Sequence, residues 1–132
     1  MIHSTHRFHG RNALRFAYQK GTSVRSNLPL SLRVAFNPRS STWRAAVVVS
    51  RKVSKSAVVR NRIRRRLFEI VRHEGKQLAP HSDLVFSVYG PELATISHEE
   101  LQQAVRSLLQ KVSIQRHNRA DHDILEAKEK AR

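Results

Sequence analysis

A hydrophobic residue occupies every second position of residues 28–36. This period of two predicts a β-strand with one buried face, and Pro29 near its start favours the edge of a sheet. Residues 43–50 are apolar on both faces, which is typical of a more central strand. Residues 83–89 form a third predicted strand, ended by a Gly-Pro pair. The pattern therefore predicts three strands and leaves open whether a further one is present.

Three other segments have the spacing of helices. Residues 10–20 predict a short helix that stops at Gly21. Residues 57–75 repeat apolar positions at intervals of three and four, which predicts a longer helix with one apolar stripe. Ser97 begins a last helix, because Glu100 stands three positions later and completes a capping box.

The predicted order of elements is α-β-β-α-β-α, and it contains a β-α-β unit over residues 43–89. Such a unit implies two parallel strands joined by a crossover. We therefore expect an α+β fold, a two-layer arrangement in which helices cover a mixed sheet. Residues 114–132 mix acidic and basic side chains with few apolar anchors, so they predict a charged tail that is a short helix or disordered. The folded domain is accordingly assigned to residues 1–113.

Charge narrows the range of functions. The 132 residues include 25 Lys and Arg against 10 Asp and Glu, a net charge of +15, and no cysteine. The missing cysteines exclude disulfides, a thiol nucleophile and Cys-ligated metal centres. No apolar run approaches the roughly 20 residues that span a bilayer, and the amino terminus has no apolar signal region, so we expect a cytoplasmic protein. The excess positive charge predicts a polyanionic partner, with nucleic acid as the first candidate.

The positive charge is concentrated in residues 51–66, which hold eight Lys or Arg and no acidic residue. At about 100° per residue, the apolar stripe of the 57–75 helix turns most of its arginines towards solvent. Guanidinium groups suit phosphates, and the positive end of the helix dipole adds to their effect. The alternative is a face that only keeps the protein soluble, but such faces usually mix both signs. The charge pattern predicts a polyanion-binding surface and does not distinguish RNA from DNA. We name it the basic surface and assign to it Arg51, Lys52, Lys55, Arg60, Asn61, Arg62, Arg64, Arg65 and Arg66.

Other chemistry is poorly supported by the sequence. His3, His6 and His9 are spaced three apart, but a terminal segment without a fourth ligand does not predict a metal site. No paired carboxylates, Ser-His-Asp arrangement or Gly-rich phosphate loop is evident, so we expect no catalytic residue in this chain. The aromatic residues Phe16, Phe36 and Trp43 are expected in the core.

The run Lys52–Leu67 (KVSKSAVVRNRIRRRL) resembles the signature of the bacterial ribonuclease P protein component, K-x-G-x-A-V-x-R-N-R-[IL]-[KR]-R. Leu14 to Gly21 is similar to the family's F-x-x-x-[FY]-x-x-G, and Asp83 to Phe86 is similar to its D-[IVL]-V-[VF] strand. The resemblance covers residues 7 to about 113. The chain departs from the family pattern in four ways: Leu14 for Phe, Ser54 for Gly, one extra residue between Lys55 and Arg60, and Phe68 where Arg is common.

This resemblance implies a fold like the second domain of ribosomal protein S5, with a mixed four-stranded sheet. It also implies a left-handed β-α-β crossover, which general rules of handedness would not predict. It implies a protein cofactor of a ribozyme, whose RNA subunit cleaves precursor tRNA to form the mature 5′ end. The basic surface would contact the catalytic RNA, and a cleft would hold the single-stranded 5′ leader. Leu14, Tyr18 and Phe68 are assigned to this cleft, although Phe68 could equally pack locally.

The resemblance further implies that Mg²⁺ serves the RNA chemistry and that the protein binds none tightly. The expected partners are the catalytic RNA, with one protein per RNA, and the precursor tRNA leader, without DNA or a membrane. The chain would count as a subunit of a hydrolase, although it supplies no catalytic group. Two alternatives remain: a ribosomal or rRNA-binding protein without a cleavage role, and a self-contained nuclease.

Overall fold

A computed structural model describes residues 6–7, 11–37, 41–75, 78 and 80–112. The third helix includes residues 98–112. The other elements, in chain order, are α1 (Arg11–Lys20), β1 (Thr22–Arg25), β2 (Leu30–Phe36), β3 (Arg44–Val49), α2 (Ala57–Glu74), β4 (Ser82–Val88) and a 3₁₀ turn (Pro91–Ala94). We name the helix at 98–112 α3. Residues 114–132, assigned to a charged tail, lie outside the described residues.

The four strands form one sheet in the order β1-β2-β4-β3. Strand β2 pairs antiparallel with both β1 and β4, whereas β3 and β4 run parallel and are joined through α2. The mixed four-stranded sheet and the α+β class are therefore confirmed. Strand β1 was not distinguished by its periodicity, because only Val24 of its four residues is buried. The left hand of the crossover stays a prediction.

Two predictions about the sheet's edges were wrong. Strand β2 is internal, between β1 and β4. Pro29 does not prevent this position, because it precedes the strand and its missing N–H is not needed for pairing. The Pro29 carbonyl accepts a hydrogen bond from the Tyr89 N–H at 2.8 Å. Strand β3 is at the edge, and its apolar character on both faces reflects cover from both sides. Ala45 packs in the core beneath α2, while Ala46 packs on the opposite face beside α1. Arg7 adds an isolated parallel bridge to Ala45 at this edge.

The two faces of the sheet are packed differently. On the main face, α2 and α3 enclose a core built from large residues such as Leu32, Phe86, Leu67 and Leu101. On the opposite face, which we name the second face, α1 places Ala17 in a smaller cluster. Members of that cluster are Ala17, Ala35, Ala46 and Val85, with Leu14 and Val48 packed against it. Among the residues that the structure describes, the helix packed on the second face is the short α1.

The three aromatic residues expected in the core have different outcomes. Trp43 is buried, as expected, and the ring of His6 stacks on it with centroids 4.0 Å apart. Phe36 ends β2 and is 55 % exposed, so its assignment to the core was wrong. The side chain of Phe16 and the histidines at positions 3 and 9 lie outside the described residues.

Local hydrogen bonds fix the ends of the helices. Ser56 Oγ accepts from the Val59 N–H at 3.3 Å and begins α2. Ser97 Oγ accepts from the Glu100 N–H at 3.2 Å, which confirms the cap predicted for the last helix. Gly21 ends α1, where a Cβ would collide with the Ala17 carbonyl oxygen. These contacts fix the first turns of α2 and α3 and the last turn of α1.

Candidate nucleic-acid interface

The loop between β3 and α2 presents an open cationic depression. Its volume is about 580 Å³, and Arg51, Lys52, Lys55 and Arg60 line it. The Arg60 guanidinium donates to the Ser54 carbonyl oxygen at 2.8 Å, which holds the loop against the first turn of the helix. No acidic side chain is among the lining residues. With the amino terminus of α2 adjacent, the depression favours an anion.

The arginines of α2 up to Arg66 fall into two groups. Those of the first group donate to backbone carbonyls of neighbouring segments: Arg60 to Ser54, Arg64 to Val49 at 3.4 Å, and Arg66 to Leu93 at 2.7 Å and Ile96 at 2.5 Å. We name these the anchored arginines. Arg62 and Arg65 form the second group, the exposed arginines, which make no hydrogen bond or ion pair to any residue that the structure describes.

Arg66 is the most firmly anchored of the predicted RNA-binding residues. Its two hydrogen bonds join α2 to the segment that leads into α3. Burial, followed by the positive charge of Arg62, lowers the pKa of Arg66 from its usual value. The guanidinium therefore has a role in the fold, and its contact with RNA stays a prediction.

Asn61 and the carboxyl-terminal half of α2 define the extent of the cationic face. The exposed Asn61 accepts from the Arg64 guanidinium at 3.0 Å through Oδ1. Two turns further on, Glu69 accepts from Arg72 at 2.6 Å, and this hydrogen bond lowers the pKa of Glu69 to about 2. The same contact raises the pKa of Arg72. The helix surface is thus purely cationic up to Arg66 and mixed in sign from Glu69 onwards.

The residues assigned to the leader cleft do not lie together. Leu14 and Tyr18 belong to α1, and Leu14 packs against the cluster on the second face. Phe68 belongs to α2 and packs, half-buried, against the main core on the other side of the sheet. The prediction of one cleft lined by all three residues was therefore wrong, and the structure favours local packing for Phe68.

Tyr18 is half-exposed on α1, beside the second face. Its side chain is 45 % exposed, and the Arg33 guanidinium lies 5.4 Å from its ring centroid. Arg33 also donates to the Tyr18 and Gly21 carbonyls at 2.8 and 3.3 Å, which fixes α1 against β2. The junction of α1 and β2 thus presents a half-exposed aromatic ring beside a cation.

Sequence reasoning missed three further residues on the second face, Arg25, Ser31 and Tyr89. Arg25 and Ser31 are partners in the β1–β2 register, and the Ser31 and Tyr89 hydroxyls are hydrogen-bonded at 3.0 Å. A signal for these residues was available, because the strand alternation that buries leucines on one face puts polar residues on the other. Their approach to one another depends on the register between strands, which the sequence alone did not supply.

The described ranges contain no other recognised chemistry. They hold no group of three or more His, Cys, Asp or Glu side chains able to bind a metal ion. Within the same ranges, no helix is both long and apolar enough to cross a bilayer. Fold and surface together define a small basic α+β protein. Its helix α2 has a cationic surface, and its second sheet face carries exposed tyrosines, which is an arrangement suited to RNA or another polyanion.

Comparison with known proteins identifies the family. The family model for ribonuclease P matches residues 2–113, and the chain belongs to this family. It is 38 % identical over 117 residues to the ribonuclease P protein component of a Synechococcus strain, covering 86 % of each chain. It is 42 % identical over 85 residues to that of Roseiflexus castenholzii, covering 64 % of this chain and 68 % of the relative.

Solved structures share the fold. The RNase P protein from Thermotoga maritima has 20 % sequence identity and a TM-score of 0.70, covering 80 % of this chain and 96 % of that one. A Staphylococcus aureus RNase P protein mutant with defective mRNA degradation activity has 19 % identity and a TM-score of 0.72, covering 82 % of this chain and 88 % of that one. The α+β architecture described above is therefore that of RNase P proteins.

Proposed function

We propose that the chain is the protein cofactor of ribonuclease P, which assists a catalytic RNA in removing the 5′ leader from precursor tRNA. The observation that carries the proposal is the basic surface: a cationic loop and helix without an acidic residue from Arg51 to Arg66. Membership of the ribonuclease P family supports it. The expected partners are the catalytic RNA, one per protein, and the leader of precursor tRNA in the cytoplasm.

The physical contribution of the basic surface is electrostatic. A catalytic RNA and its RNA substrate repel each other, and cations between them lower that repulsion. The eight Lys and Arg residues of the basic surface would neutralise about six to eight phosphates, so affinity should fall steeply with salt. The anchored arginines hold α2 and its loop in place, which reduces the ordering needed on binding.

The leader is proposed to lie on the second face, beside α1. Tyr18 offers its ring to a nucleobase, and Arg33, 5.4 Å from the ring centroid, offers a cation to the phosphate backbone of the RNA. Leu14 contributes an apolar wall where the family usually has an aromatic ring. Binding the leader would help to position the scissile phosphate.

Hydrolysis itself is assigned to the RNA subunit. The protein contributes cations and stacking surfaces in this proposal, and Mg²⁺ serves the RNA by activating water. The basic surface lowers the Mg²⁺ concentration required, because it supplies part of the counter-charge that the ions would otherwise provide.

A reconstituted cleavage assay tests the proposal. Precursor tRNA is incubated at low Mg²⁺ with the full-length protein alone, with a bacterial ribonuclease P RNA alone, and with both. We expect cleavage only with both, and loss of the stimulation in Arg62→Ala/Arg65→Ala. Arg72→Ala is the matched control, since it removes a positive charge from the same helix beyond Glu69.

Two outcomes would contradict the proposal. Cleavage by the protein alone would indicate a self-contained nuclease. Equal affinity for tRNA with and without a leader, together with no stimulation of the catalytic RNA, would indicate an rRNA-binding protein.

A further inference from the structure

Tyr89 is held in a fixed position on the second face, where β4 ends. It follows β4 directly, and its N–H donates to the Pro29 carbonyl at 2.8 Å. Its hydroxyl is hydrogen-bonded at 3.0 Å to that of Ser31, a side chain that is itself buried. The ring is therefore fixed at its backbone and at its hydroxyl, although 57 % of the residue is exposed.

A cation lies against this ring. The guanidinium carbon of Arg25 is 5.6 Å from the ring centroid of Tyr89. Arg25 is opposite Ser31 in the β1–β2 register, so the same serine that holds the tyrosine hydroxyl is adjacent to the arginine. The Arg25 carbonyl accepts from Lys111 Nζ at 3.1 Å, which brings a second positive charge from α3 to this strand end.

The arrangement repeats the pair formed by Tyr18 and Arg33. The chain has two tyrosines, and each is exposed on the second face beside an arginine of β1 or β2. Arg25 and Arg33 occupy diagonal positions of this strand pair, because Arg25 is opposite Ser31 and Arg33 is two residues further on. Diagonal neighbours on one face are about 7–8 Å apart, a distance that consecutive nucleotides of an extended strand can bridge.

We propose that Tyr89 and Arg25 form a second nucleotide-binding site on the second face, which takes one nucleotide of single-stranded RNA. The base stacks on the Tyr89 ring, and the Arg25 guanidinium contacts the adjoining phosphate. The site rests on the proposed function, because it assumes that the tRNA leader crosses this face. One base on Tyr89 and another on Tyr18 would fix the path of the leader across the sheet.

The position of this site also connects the two RNA-binding regions. Strands β3 and β4 are parallel with Val49 opposite Val88, so Tyr89 and the loop that begins at Ser50 leave the sheet side by side. The basic surface begins in that loop at Arg51. An RNA strand bound over Tyr89 would therefore leave the second face next to the cationic depression. The side chains that line this depression include no acidic residue.

Single abasic substitutions in the leader test the proposal in the holoenzyme, where the tRNA body fixes the register. Affinity is measured for precursor tRNA with one base removed at each leader position in turn. With the unaltered protein, we expect two leader positions at which loss of the base weakens binding, by about 5-fold to about 150-fold. With Tyr89→Leu, removal of the base at one of these positions should no longer weaken binding. With Tyr18→Leu, the same should hold for the other position.

Tyr89→Phe is the matched control. It keeps the ring and loses the Ser31 hydrogen bond, so it should retain the abasic sensitivity that Tyr89→Leu loses. An unchanged abasic profile in Tyr89→Leu would overturn the proposal, as would an equal loss of affinity for tRNA without a leader. Thermal unfolding of each variant separates these results from a loss of folded protein.

A second measurement keeps the proposal testable if the holoenzyme assay fails. Direct binding of the full-length protein to a ten-nucleotide single-stranded oligoribonucleotide is compared between the unaltered chain and Tyr89→Leu. A loss of about 5-fold or more in Tyr89→Leu, but not in Tyr89→Phe, supports the site even without stimulation of a catalytic RNA. Equal binding by all three proteins contradicts the site while leaving the proposed function intact.

Discussion

Arg65 and Arg66 are consecutive residues of α2, but their side chains have different surroundings. Arg66 turns towards the 91–97 segment and donates to two of its carbonyls, whereas Arg65 is exposed. Consecutive helical positions differ by about 100°, so one side chain reaches the border of the core while the next faces solvent. A run of arginines in this chain therefore combines two tasks: anchored side chains fix the helix, and exposed ones remain available to phosphates.

The largest effect on stability is expected at an arginine outside α2. Arg44 donates from Nε and Nη2 to the buried Asp83 carboxylate at 3.0 and 2.8 Å, and Asn37 donates to the same group at 3.0 Å. Arg44→Ala leaves a buried carboxylate with the amide alone, which should cost about 3–5 kcal/mol of unfolding free energy. Urea unfolding of the unaltered protein and of Arg44→Ala measures this difference in unfolding free energy. A difference below about 1 kcal/mol would show that the ion pair contributes little.

A smaller loss of stability is expected at Arg66. Arg66→Ala removes the donors of the Leu93 and Ile96 carbonyls, and unmade hydrogen bonds of this kind cost about 1–3 kcal/mol. Arg65→Ala, one residue earlier, is the matched control and should change the unfolding free energy by no more than about 0.5 kcal/mol. Equal effects at both positions would remove the distinction between anchored and exposed arginines.

The exposed arginines should affect RNA without affecting the fold. Arg62→Ala/Arg65→Ala should leave the thermal midpoint nearly unchanged, because neither side chain contacts the described fold through a hydrogen bond or ion pair. The same variant should require more Mg²⁺ for cleavage in the reconstituted assay. A lowered midpoint would instead assign these arginines a structural role.

The smallest effect concerns the end of the cationic face. The pKa of Glu69 is lowered to about 2 by its hydrogen bond with Arg72, so the ionised carboxylate stabilises the folded state above its ordinary pKa of 4.5. This contribution should disappear as the pH falls from about 4.5 towards 2. Comparing the thermal midpoints of the unaltered protein and Glu69→Gln over this range checks the sign; a difference that grows on acidification would contradict it.

Much of the fold followed from local patterns. The cap at Ser97, the apolar stripe of α2 and the parallel β3–β4 pair could be predicted, because each depends on residues close in sequence or on a general connection rule. The edge assignment of β2 failed because Pro29 lies before the strand and not within it. The assignment of β3 failed because an apolar pattern reports which faces are covered, not whether a strand has a neighbour. Strand β3 illustrates this: both of its faces are covered, yet it pairs with β4 alone among the strands of the sheet.

The site was predicted only in part, for a different physical reason. A helical projection places Phe68 outside the main apolar stripe, but it cannot show that α1 packs on the opposite side of the sheet. The anchoring of Arg66 depends on carbonyls 27 and 30 residues later in the chain. The pair of Arg25 and Tyr89 likewise requires the β1–β2 register. Side-chain type was readable from the sequence, whereas long-range partners were not.

The salt dependence of binding to a bacterial ribonuclease P RNA tests the central claim most directly. If the basic surface contacts about six to eight phosphates, the logarithm of the association constant should fall with the logarithm of salt concentration with a slope of about −4 to −7. Arg62→Ala/Arg65→Ala should reduce the magnitude of this slope by about 1 to 2, and Arg72→Ala should leave it unchanged. A slope near zero, or one that the double substitution does not alter, would contradict the account.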